Sequence, residues 1–256
     1  MPTEDNNPNG LSPAFYAAPS YIHKRRSREW WLLAHPPYSL CHLSFVVIGA
    51  CLKGPVNATR LGATFTAFLL AVGIGAHALD ELHDRPLGTN IPAWQLASAA
   101  TIGLGGACAL GIYGALFVNS ALAYFIVVGV IVAIGYNLEL FRGSLHNNLV
   151  FALGWGGFPV LTSYFAQHAT IDLTAILGGS FASFIALAQR HLSTPARSLR
   201  RSTLAVDGTV TTFDGRKQAL TRQALLAPLE RALSYLCWAS VFIALALAYA
   251  RFKTRL

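Results

Sequence analysis

Three of the chain's 11 acidic residues, Asp80, Glu81 and Asp84, fall within five positions at the end of a long apolar run. On a helix His77, Asp80, Glu81 and Asp84 occupy positions i, i+3, i+4 and i+7, so the spacing predicts that all four project from one face. Carboxylates gathered against a bundle interior repel one another unless a cation, a basic group or protons compensate, because a desolvated charge is costly. That pattern points to a metal site. A set that includes His77 suits Fe, Mn or Zn better than a purely carboxylate one does. The plain alternatives are a helix-end acidic patch balanced by Arg85 and an interior histidine bonded to a neighbouring helix.

The elements that would position these residues are set by composition. Of 256 residues, 54% are hydrophobic and only 12% charged, about half the charged fraction of a soluble domain. The expected class is all-α, a polytopic membrane bundle. Seven apolar segments, 37–53, 59–82, 92–113, 118–137, 147–167, 171–190 and 231–251, approach the ~20 residues needed to cross a bilayer. Glycines such as Gly103, Gly154, Gly156 and Gly157 allow close helix packing in lipid. Cys41, Cys51, Cys108 and Cys237 have no paired spacing and read as small core residues.

The formal charge of +8 sits in loops between spans, which fits positive-inside topology rather than nucleic-acid binding. An amino terminus in the cytoplasm, at a plasma or inner membrane, places most of the 19 Lys and Arg on that side. Residues 1–30 read as a disordered basic tail, and 31–256 as one transmembrane domain. A cytoplasmic loop is expected at about 190–230, with a short hairpin strand near Thr209–Phe213 and an interfacial helix over 216–230. Under this topology the acidic segment, the Asn137–Asn148 loop and the 190–230 loop share one face. A single cavity opening there is expected.

Several stretches occur in the order found in a known family. Ala76–Leu87, with Asp80 and Asp84 followed by Arg85-Pro86-Leu87, resembles the first aspartate-rich motif of the UbiA-type intramembrane prenyltransferases. Ala34-His35-Pro36-Pro37 is similar to that family's start of span one, Leu149–Gln167 to its fifth span, and Arg201–Val206 to the stretch after its second aspartate motif. The resemblance implies a helical bundle around a cavity open to lipid, binding Mg²⁺ and the diphosphate of an isoprenoid donor. Asp80 and Asp84 match the first motif's aspartates, His77 follows its usual asparagine position, and Arg85 stands near the diphosphate. The second motif would fall at about Leu192 and Ala196, neither acidic, so that half of the site is expected to be missing or rebuilt from His191, Arg197 and Arg201.

Three functions are compatible with these residues. The first is Mg²⁺-dependent chemistry on an isoprenoid diphosphate, by transfer to a lipophilic acceptor or by cyclisation. The second is a transition-metal enzyme acting on a lipid through His77, Asp80, Glu81, Asp84, His146 and His191. The third is a non-catalytic lipid-binding or assembly protein.

Overall fold

The structure is a computed structural model that describes residues 14–253. It is built from α1 (Arg25–Ala34), α2 (Pro36–Cys51), α3 (Ala58–Asp84), α4 (Ala93–Phe117), α5 (Leu122–Asn137), α6 (Asn148–His168), α7 (Leu173–Arg201) and α8 (Arg222–Lys253). A hairpin of β1 (Thr209–Thr211) and β2 (Lys217–Ala219) joins α7 to α8. Among the described residues, six helical runs are long and apolar enough to cross a membrane: Arg25–Cys51, α3, α4, α6, α7 and α8. The apolar α5 is shorter, at 16 residues.

The seven segments expected from hydropathy all fall on α2–α8. At the centre is α2, whose Cys41, Phe45 and Ile48 pack with Val160 of α6, Ala182 of α7 and Cys237 and Ala244 of α8. A helix this apolar on every side is stable only when surrounded. Small residues set the other close crossings. At Gly103 on α4, a Cβ would lie 2.6 Å from the Leu70 carbonyl oxygen of α3.

Two helices contain a wider π turn, Leu69–Ala76 in α3 and Ala152–Gly157 in α6. Such turns shift the register of the helix beyond them and recur at functional sites. Each stands just before or among residues that line a cavity.

Three expectations are corrected. The loop expected at 190–230 shrinks to 202–221, because α7 continues through Pro195 to Arg201 and α8 begins at Arg222. Tertiary packing offsets the lost proline N–H. Ala196 packs with Leu226 and Leu233, and Arg200 pairs with Glu230 at 2.6 Å. The helix expected over 216–230 is instead split between β2 and the first turns of α8. The disordered tail expected over 1–30 lies outside the described residues up to 13. From Ala14 onward it is tied down: Phe15 meets Tyr38 edge-on at 5.9 Å, Tyr16 rests 5.2 Å from His35, and Arg25 starts α1.

One end of the bundle is closed by polar staples. Lys53 reaches Asp172 at 3.2 Å, the Tyr164 hydroxyl donates to the same carboxylate at 2.7 Å, and Arg251 donates to the Cys51 and Leu52 carbonyls. The Tyr164 hydrogen bond, helped by Lys53, holds the Asp172 carboxyl down at about 2, below the usual ~3.9 of an aspartate. A depressed carboxylate adds stability above its unfolded value and loses it as pH falls through the folded one. Wild type should therefore lose its advantage over Asp172→Asn between about pH 4 and pH 2. The expected gap in melting temperature is only ~1–2 °C for so exposed a group, and a thermal-shift series across that window measures it.

Candidate functional site

The other end holds a polar cavity, about 890 Å³ of empty space when its open mouth is included. It collects the amino-terminal half of α2, the carboxyl ends of α3, α5 and α7, and the start of α6. Side chains that sequence spacing put together are divided there.

His77 and Asp80 line the cavity. Asp80 makes no hydrogen bond or ion pair among the described residues, and Arg197 and His146 line the same cavity. Glu81 was expected on the same face as a metal ligand, but it is fully buried and turned away. Its carboxylate accepts from the Leu87 and Thr89 backbone N–H groups at 2.9 and 2.8 Å and from the Thr89 hydroxyl at 2.8 Å. Arg85, expected beside a diphosphate, sits at φ 52 and donates through Nη1 to the Thr89 and Ile91 carbonyls at 3.3 and 2.7 Å. One side chain thus satisfies the donors of the 85–91 turn and the other its acceptors, as buried backbone polar groups require. Asp84 does not line the cavity; its side chain is 70% exposed, and its ion-pair contact is His83 at 3.8 Å.

Because α7 stays helical past Pro195, Arg190, Ser193, Arg197 and Arg201 fall at i, i+3, i+7 and i+11 and form one stripe along the cavity wall. His191 lies off that stripe, exposed, and is not part of the wall. Arg190 is anchored by Nε donating to Asn148 at 2.7 Å and by a hydrogen bond to the Tyr136 hydroxyl, with its guanidinium 4.9 Å from the Phe151 ring centre. Arg201 donates to the Pro86 carbonyl. Arg197 makes no hydrogen bond among the described residues.

Sequence reasoning missed Tyr16, Tyr38, Tyr136 and Gln189 as cavity residues. Gln189 falls within the expected span 171–190, where nothing in the sequence sets it apart from its neighbours. Nothing local pointed to Tyr16, which reaches the cavity only by packing on His35 and Tyr38.

Three cavity histidines have Nδ1 against a backbone carbonyl: His42 on Trp155 at 3.0 Å, His77 on Gly73 at 3.4 Å and His146 on Tyr136 at 3.2 Å. Donation from Nδ1 would leave each Nε2 as an acceptor. Among the described residues, however, no three His, Cys, Asp or Glu side chains converge tightly enough to hold a metal between them. Of the six residues of the transition-metal reading, His77, Asp80 and His146 line the cavity, while Glu81, Asp84 and His191 lie elsewhere.

Beside the polar cavity lies an apolar pocket between α3, α4, α5 and α6, walled by Phe68, Phe125 and Phe158, with about 830 Å³ of empty space when its open side is included. Trp155, on the π turn of α6, lines both chambers. It stacks on Phe151 at 5.5 Å and meets Tyr136 at 4.5 Å. A cationic, hydrogen-bonding chamber thus lies beside an apolar one, with Trp155 in the wall of each. The chain matches no known family, no curated protein and no solved structure.

Proposed function

We propose that this is a UbiA-like membrane enzyme acting on an isoprenoid diphosphate, by prenyl transfer to a lipophilic acceptor or by cyclisation of the tail. The observation that carries the reading is the pair of chambers sharing Trp155: Asp80 and three arginines on one side, a phenylalanine-walled pocket on the other. In this reading α2–α8 all span the bilayer, with the polar cavity facing the cytoplasm where basic residues concentrate. At 1.5 Å per residue, α5 reaches about 24 Å, so it requires tilt of its neighbours or local thinning of a ~30 Å hydrocarbon layer.

The residues are suited to Mg²⁺, which takes one or two carboxylates together with substrate phosphates and water. Asp80 has no protein hydrogen bond to give up, and the exposed Asp84 lies one turn further along α3. When bound, the metal neutralises charge on the departing diphosphate. Arg197 offers free donors to the phosphate oxygens, while Arg190 and Arg201, fixed by their protein partners, keep the head oriented. The pocket wall holds the tail and keeps water from the carbon at which the bond breaks.

The test is diphosphate release by purified protein in nanodiscs given geranyl, farnesyl or geranylgeranyl diphosphate and Mg²⁺, with and without lipophilic acceptors. Release is expected, and Asp80→Asn should lower it at least ~10²-fold while melting like wild type. If folded protein releases none with any donor or acceptor, the reading fails, and a non-catalytic lipid-binding role takes its place.

A further inference from the structure

His35 is the residue that the fold leaves least explained. It joins α1 to α2 at φ 43, a left-handed conformation that is uncommon for a residue with a side chain. That backbone aims its ring into the polar cavity, among Tyr16 at 5.2 Å, His77 at 5.3 Å and Tyr38 at 6.0 Å. Its Nδ1 is closed to solvent with no hydrogen-bond partner. Among the described residues, the ring's one hydrogen-bonding neighbour is the Leu33 backbone. Gln189 lines the same cavity, is 6% exposed, and has an Oε1 without a partner. Buried polar atoms are almost always paired. Two left open in one chamber mark where a ligand completes the set.

The needs of these two groups differ from those of an anion. A carbonyl oxygen such as Gln189 Oε1 only accepts, and with the ring proton on Nε2, the tautomer this inference assigns to His35, Nδ1 also accepts. Both therefore call for a neutral donor, and the arginines already serve the negative head. We infer that the cavity holds a second substrate carrying two hydroxyl groups, one donating to Gln189 Oε1 and the other giving its proton to His35 as general base. The inference rests on the isoprenoid-diphosphate reading, which it deepens by naming the acceptor class and favouring transfer over cyclisation. In the step, the bond from the prenyl carbon to the diphosphate oxygen breaks, and the diphosphate leaves with the electron pair. The hydroxyl oxygen bonds to that carbon, and the hydroxyl proton passes to the imidazole. The product is a prenyl ether, and no oxidant or reductant is needed. Tyr16 and Tyr38 flank His35 and narrow the approach.

The experiment supplies farnesyl diphosphate and Mg²⁺ with 1-O-octylglycerol, which has two hydroxyls, or 1-octanol, which has one. Ether formed per diphosphate released is read by mass spectrometry and phosphate assay. Wild type should make ether from octylglycerol. His35→Asn, which tolerates the left-handed backbone, should lower that ratio by ~10²-fold or more, in the range expected for loss of a general base. In His35→Gly, added imidazole should restore it. Gln189→Leu should raise KM for octylglycerol but not for octanol. An unchanged ratio in His35→Asn overturns the inference, as does wild type that releases diphosphate but forms no ether with either alcohol. Absence of any release sinks the underlying reading instead.

Discussion

A Glu81→Ala protein should melt about 6–12 °C below wild type, on the scale of roughly 3 kcal/mol lost in a chain of this size. The side chain is 0% exposed, and three donors converge on it: the Leu87 N–H, the Thr89 N–H and the Thr89 hydroxyl. Removing the carboxylate leaves all three without a partner in a site closed to water, and an orphaned buried donor costs about 1–3 kcal/mol. Glu81→Gln should fall between the two. Its single carbonyl oxygen can still accept from Thr89, while its amide N–H₂ would face the Leu87 N–H. Thermal unfolding by tryptophan fluorescence in detergent, alongside Asp80→Asn, checks the division of labour. Asp80→Asn should fold like wild type and Glu81→Ala should not. A Glu81→Ala protein that melts normally yet has lost turnover would put Glu81 back among the ligands.

Gly156→Ala should be comparably damaging for a different reason. An added Cβ would lie 2.8 Å from Ser183 Cα and still closer to the Ala182 carbonyl. Both are backbone atoms of α7, so no rotamer change can relieve the clash. The π turn of α6 must back away from α7, which costs about 3 kcal/mol by the usual scale of overpacking. Trp155 would move with it and the His42 hydrogen bond to its carbonyl would be lost. The yield of monodisperse protein and its melting temperature are the readouts. Gly62→Ala, with nothing within 4 Å of the new Cβ, is the matched control and should behave as wild type. A Gly156→Ala protein as stable as that control would mean that α6 and α7 do not meet this closely.

The helices were legible because membrane spans are written locally: each needs a run of apolar residues, and seven such runs stand apart in the chain. The sharing of one cavity by the ends of α3, α5 and α7 was legible as well, since alternating spans must return to the same face. The acidic stripe shows where such reasoning stops. At 100° per residue, Asp80 and Glu81 stand about 100° apart on the helix. An arc that wide straddles two neighbours, so Asp80 meets the cavity while Glu81 meets the 87–89 turn. Spacing fixes which residues share a face, not what the face will touch. His191 was misjudged through Pro195, whose local preference to end a helix is overridden by packing of Ala196 on Leu226 and Leu233. Tyr16 depended on contacts made across the chain, which no short window of sequence contains.

The β1–β2 ribbon makes its main contacts with itself, and Phe213 at its tip is fully exposed. The link between α7 and α8 therefore has a turn that no helix depends on for support. For imaging, that makes it a natural handle. A compact fiducial domain spliced into the 212–216 turn would stand outside the bundle on the same end as the polar chamber. It would give particle alignment an external landmark and show directly which way the chamber faces.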